Sequence, residues 1–155
     1  MKNKKFFTLL FLETLFVLGI AGYFFIDSAT IYKHFFGDTK FYEQSQQCDL
    51  HVKGCSVNIP TVGAISFNIE PKEIPLMKRL TFTVATNEDF NKDELDLHIF
   101  ATNMNMGYYN LKMKKISKNR YQAKSILPTC IVGGMIWRAE VVMGSVGGAF
   151  TFKTK

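Results

Sequence analysis

The sequence predicts an all-β domain, an antiparallel β-sandwich of about seven strands, carried behind one N-terminal transmembrane helix. Three observations give that class. Phe6 to Ile26 is almost wholly apolar. From Ser56 onward, short runs alternate apolar with polar residues, the period-two pattern of strands with one buried face. Turn residues separate those runs at regular spacing, and no later segment carries a helical stripe.

The apolar leader comes first in the chain. Lys2, Lys4 and Lys5 precede it, so the positive-inside rule puts the N-terminus in the cytoplasm and the remainder outside. Its length suits a hydrocarbon core of about 30 Å. A cleaved signal peptide is the rival, but the best cleavage candidate, Gly19-Ile20-Ala21, runs on into Tyr23, Phe24, Phe25 and Ile26. An uncleaved anchor over residues 1–27 is the expectation. Glu13 interrupts it, and a buried acid in a membrane costs about 3 kcal/mol on insertion scales. Either Glu13 contacts another membrane helix, or the segment tolerates it.

Residues 28–47 form a juxtamembrane linker in this scheme, mixed polar and aromatic (Tyr32, Phe35, Phe36, Phe41, Tyr42), and residues 48–155 form the β domain. With 155 residues there is room for one core. The net charge of +6 is partly the lysine leader and is otherwise interspersed with acids. No aromatic-basic repeat accompanies it, which argues against nucleic acid as a partner.

Three cysteines are an odd number for a domain outside the cytoplasm. Cys48-Asp-Leu-His-Val-Lys-Gly-Cys55 closes a small ring, and an oxidising compartment favours a disulfide there. A ring of that size contributes about 2.5 kcal/mol on the chain-entropy model. A zinc site from Cys48, His51 and Cys55 lacks an adjacent fourth ligand and the usual spacing.

Strand patterns follow at Ala64 to Ile69, Leu80 to Ala85 and Leu95 to Phe100, then at Tyr108 to Lys115, Arg120 to Ile126, Ile136 to Val142 and Ala149 to Lys153. Pro71, Pro75, the polar run Asn87 to Asp93 and Ser117-Lys118-Asn119 supply the breaks.

Two breaks hold the unusual chemistry. Asn103-Met104-Asn105-Met106-Gly107 places two methionines two residues apart, and Leu127 to Trp137 contains Cys130, Gly133-Gly134, Met135 and the single tryptophan. Thiol and thioether sulfurs are soft donors that suit Cu(I). Met104, Met106, Cys130 and Met135 are therefore the candidate metal ligands, provided the two loops meet at one end of the sandwich. The competing account makes the methionines flexible core filler and Cys130 a small buried hydrophobe. Trp137 fits a sandwich core.

No catalytic constellation stands out. His34, His51 and His98 are scattered, none beside a nucleophile with an orienting acid, and all three read as exposed. The acids from Glu88 to Asp96 lack the spacing of a calcium loop, and no phosphate-cradling glycine motif is present. Thiol-redox chemistry between Cys130 and the Cys48/Cys55 pair lacks a Cys-x2-Cys motif. The sequence reads as a binding protein, not an enzyme.

The run Met-Asn-Met-Gly, then Asn119-Arg120-Tyr121, Ser125-Ile126-Leu127-Pro128 and Gly134-Met135-Ile136-Trp137-Arg138-Ala139-Glu140-Val141 resembles the FixH/YtkA-like periplasmic domains. The likeness covers the C-terminal part of the chain. It departs where that group commonly has a histidine near the Met-Gly and this chain has Tyr108. The chain resembles more closely an uncharacterised proteobacterial, membrane-anchored group that combines Cys-x6-Cys, Met-x-Met-Gly and Leu-Pro-x-Cys. The resemblance implies an immunoglobulin-like sandwich, single-pass in the inner membrane with its C-terminal domain in the periplasm. It also implies Cu(I) as a ligand, handled for oxidase assembly or copper homeostasis, with a copper-dependent oxidase or other membrane complex as partner. A non-metal module that docks a membrane complex is the alternative.

Overall fold

The computed structural model describes residues 2–25, 39–88, 90–104, 106–129 and 134–154. Two compact units make up the chain, Met1–Asp38 and Thr39–Lys155.

In the first unit, helix α1 spans Lys2–Phe25. Leu, Phe and Val at positions 9 to 18 are exposed on every side of it, and Glu13 is exposed among them. No helix of the described residues is long and apolar enough to cross a membrane, which departs from the expected transmembrane helix. The first turn of α1 carries Lys2, Lys4 and Lys5, and Glu13 interrupts the apolar residues that follow.

The second unit is all-β. Its strands are β1 (Lys40–Glu43), β2 (Cys55–Ile59), β3 (Gly63–Glu70), β4 (Arg79–Thr86), β5 (Glu94–Ala101), β6 (Tyr108–Ser117), β7 (Arg120–Ile126), β8 (Met135–Val142) and β9 (Val146–Thr154). Local alternation explains most of them. Ile65, Phe67 and Ile69 of β3 and Leu80, Phe82 and Val84 of β4 are buried, while the residues between them reach the surface.

The count exceeds the expected seven for two reasons. β1 lies within the stretch read as linker, and it is a four-residue strand held by parallel pairing to β9, from Lys40 opposite Val146 to Glu43 opposite Ala149. Nothing local marks such a strand, because its partner is far along the chain. β2 begins at Cys55 and pairs antiparallel with β3.

Two separate layers were expected, and a single nine-stranded sheet is found, in the order β1-β9-β8-β5-β6-β7-β4-β3-β2. It folds back on itself. Phe67 of β3 stacks on Phe150 of β9 at 4.9 Å although β4, β7, β6, β5 and β8 lie between them in that order. β6 and β7 pair only from Lys114 to Ser117, and the register shifts between Lys115 and Ser117. A bulge of this kind bends a strand and increases its twist. Strands β8, β5, β6 and β7 lie side by side in the arrangement of a Greek key.

The core fills the space between the two arms of the folded sheet, around Trp137, Tyr121, Phe67, Phe82 and Phe150. Glycines make room where the arms meet. A Cβ on Gly148 would lie 2.5 Å from Cδ1 of Ile65 on the facing arm, so a side chain there would force the Ile65 tip to move.

On the outer face of β5 and β8, His98 and Glu140 sit opposite each other in register and each is only 5% exposed. Arg138 bridges Glu140 at 2.7 Å and Glu43 of β1 at 2.6 Å. The exposed reading of His98 is thus overturned: neighbouring strands on both sides cover a position that period-two alternation assigns to solvent. Burial pushes the His98 imidazole below its ordinary range and Lys112 adds to this, while the Asp96 and Glu140 carboxylates pull the other way. An unfolded chain then takes up a proton where the folded one does not. The stability that His98 contributes is present above the ordinary histidine value of about 6.5 and is lost as the pH falls from there towards the lowered folded value. Urea midpoints of the β unit are expected to drop between about pH 7 and pH 5, and His98→Gln is expected to flatten that part of the profile.

Candidate functional site

The strand directions sort the loops into two groups. Thr39, where the β unit begins, lies beside the β8–β9 turn, with its hydroxyl donating to the Gly144 carbonyl and the Lys40 amide donating to Ser145. The opposite end of the sheet gathers residues 44–54, 71–78, 102–104, 106–107, 127–129 and 134, together with the C-terminal end of β9. Both sulfur-bearing loops are there.

Asn103 joins them. Its side-chain amide donates to the Gly134 carbonyl at 3.0 Å, and its side-chain oxygen accepts the Ile136 amide at 3.0 Å. The Thr102 amide donates to the Ile136 carbonyl at 2.8 Å. One asparagine thus continues the β5–β8 ladder past its last backbone pair. Gly107 and Gly134, with φ of 77° and 59°, end the two loops in the left-handed region that favours glycine. Asn103→Ala removes both side-chain bonds, and a loss of about 1–2 kcal/mol is expected. Hydrogen exchange at the Ile136 amide, faster in the variant, is the direct measurement.

The predicted ligands occupy different settings. Met135, the first residue of β8, has no exposed surface and belongs to the core. Met104 and Met106 are partly buried and pack against that core. Cys130 lies outside the described residues. Among the described residues no group of three or more His, Cys, Asp and Glu side chains is arranged to hold a metal ion.

The zinc alternative for the first cysteine loop is removed, because Cys48 and Cys55 form a disulfide with a Cα separation of 5.7 Å. Within that ring His51 is not an exposed residue. Its Nδ1 lies 2.9 Å from the Lys72 carbonyl and its Nε2 lies 2.7 Å from the Lys153 carbonyl. Beside it Gln44 donates from Nε2 to the Thr151 carbonyl at 2.9 Å. Together they cap the edge of β9 beyond the end of β1, and the residues line an open groove of about 670 Å³. Capping a free strand edge with side chains blocks unwanted strand addition.

The same end carries features that the sequence did not announce. Of the large apolar side chains exposed on the β unit, Val52, Met77, Tyr108 and Ile126 sit at this end, and Ile116 sits at the other. Met77 is held there by strained backbone. Its φ is 58° and that of Ile74 is 45°, both in the left-handed region, which costs about 1–2 kcal/mol for a residue with a Cβ. Burial of the Ile74 side chain and the bond from the Met77 amide to the Leu127 carbonyl at 2.9 Å offset that strain. Only the two prolines hinted at an irregular backbone in this loop, and neither identifies Met77 as the exposed residue.

No family model, curated protein or solved structure matches this chain. The site is therefore argued from its own geometry.

Proposed function

We propose that this chain is a membrane-tethered docking module on the periplasmic side of the inner membrane. Helix α1 holds the chain at the bilayer through its exposed apolar side chains, and the β unit presents its loop end to a membrane protein complex. The observation that carries this reading is the gathering of Val52, Met77, Tyr108 and Ile126 at the end of the sheet opposite Thr39. Exposed apolar side chains that a fold maintains at the expense of backbone strain fit a surface made to be covered. The all-round apolar surface of α1 between Phe7 and Ile20 suits lipid or another helix rather than water. Glu13 is the residue we assign to contact with a partner helix.

An immunoglobulin-like topology is part of this reading. Taking β4, β5, β7, β8 and β9 as strands B, C, E, F and G, the B–E, C–F and F–G pairings of that fold are all present.

Photo-crosslinking in native membranes tests the reading. A crosslinker at position 77 of the full chain is expected to give one discrete product, and one at position 116 none. Equal yields at both positions, or no product at position 77, would sink it.

A second reading keeps Cu(I), and the Asn103 tie between the two sulfur-bearing loops favours it. Met104, Met106, Met135 and Cys130 would be the donors. A Cu(I)-chelator competition titration decides the matter. Affinity that is unchanged by Met104→Ala together with Cys130→Ser removes copper from the account.

A further inference from the structure

The two contacts of His51 make a demand on its protonation. Both partners are backbone carbonyls, at 2.9 Å from Nδ1 and 2.7 Å from Nε2. A carbonyl oxygen only accepts, so each ring nitrogen must carry a hydrogen for both contacts to be bonds. A neutral imidazole has one N–H and faces the other carbonyl with a lone pair. The imidazolium alone satisfies both.

Each carbonyl belongs to a different element: Lys72 lies in the 71–78 loop and Lys153 is the last residue but one of β9. We propose that His51 is a proton-operated latch. As the imidazolium it ties the disulfide loop at once to the β3–β4 loop and to the β9 edge. On releasing its proton to solvent it gives up one of the two ties.

The charged groups around the ring are few. Within the loop, Asp49 accepts the His51 backbone amide at 2.9 Å, and its carboxylate favours the cation. From the β3–β4 side, Lys72 directs its ammonium to the Leu50 carbonyl at 3.3 Å and to the Asn68 side-chain oxygen, and opposes the cation. Asn68 also donates to Glu70 at 3.3 Å, and Glu73 is exposed on the same loop. From β9, the Lys153 side chain is exposed. From β1, Glu43 lines the same groove and is paired with Arg138.

The disulfide keeps residues 48 and 55 together in either state. Release therefore loosens the loop over the groove without unfolding it. The direction follows: the latch closes as the pH falls and loosens as it rises. Because the latch acts on the loop end of the proposed docking surface, it deepens that reading. It stands on contacts within the chain, however, and is tested with no partner present.

The β unit, Thr39–Lys155, has its own core and is used alone. Nitrogen NMR of the His51 ring is recorded from about pH 5 to pH 8, alongside exchange of the Val52 and Lys53 amides, both of which donate to the Asp49 carbonyl at 3.1 Å. At the acid end two protonated ring nitrogens are expected. As one proton leaves, protection of those amides, corrected for intrinsic exchange, is expected to fall on the order of tenfold. His51→Gln, whose two hydrogens sit on one nitrogen, is expected to show the lower protection at every pH. A ring with a single N–H while the loop is fully protected would overturn the latch. So would a Gln variant that reproduces the native profile.

Discussion

Trp137→Ala is expected to lower the stability of the β unit by about 3–5 kcal/mol, the range for truncating a large buried aromatic residue. Trp137 has no exposed surface and lies on β8, a central strand of the sheet. Its indole is also tied to the rest of the core. Nε1 donates to the Thr154 hydroxyl at 3.0 Å, and the ring meets Tyr109 edge-on at 6.4 Å between centroids. Alanine leaves a cavity and also a buried hydroxyl without its donor. Trp137→Phe separates the two effects. It keeps most of the ring volume and loses only the Nε1 bond, so about 1–2 kcal/mol is expected. Urea denaturation of the three proteins measures both. Equal losses for the two variants would mean that the hydrogen bond, and not packing, dominates at this position.

Gly147→Ala is expected to be nearly as damaging although it adds a single methyl group. A Cβ at Gly147 would run into the Val141 carbonyl oxygen on β8 and would lie 2.7 Å from Cε1 of Phe41 on β1. The backbone obstacle cannot swing away, and moving it breaks the β8–β9 register in which Val142 faces Gly147. About 3 kcal/mol is expected, at the upper end of the range for overpacking. Gly148→Ala provides the contrast. Its nearest obstacle is the tip of the Ile65 side chain at 2.5 Å. That tip can adopt another rotamer, so about 1–2 kcal/mol is expected. Thermal or urea unfolding ranks the pair, and the reverse order would show that β8 yields more readily than the packed core does.

These glycines also show where the sequence was opaque. Gly147-Gly148 within a strand pattern signals close approach, but it does not say what approaches. Phe41 lies on a strand where the sequence predicts a linker, and Ile65 lies on the far arm of a sheet where it predicts two. The runs at β3, β4 and β5 were legible because each has one face in the core and one outside it, and period two records that directly. His98 shows the limit of the same rule. Its position on the polar side of β5 was legible, but its burial was not, because cover on an outer face comes from strands brought in by the topology. Met135 was legible as a soft sulfur near a bend. Only its register on β8 turned it into the core. Asn103 carried no signal, since an asparagine in a turn is the common case and the carbonyl it reaches is 31 residues away in the chain.

Local sequence pattern is enough to predict the all-β class, most strand positions and the Cys48–Cys55 bridge. Each of these depends on a local property: alternation along a strand, a break residue, or the reach of two cysteines in a short ring. The tertiary structure alone decided that β1 joins β9, that the two sulfur-bearing loops are tied through Asn103, and that Val52, Met77, Tyr108 and Ile126 share one end. Those outcomes depend on which distant strands pair and on how a single sheet folds back on itself. Pairing free energy of that kind is a sum over many contacts between residues far apart in the chain, and no short window of residues contains it.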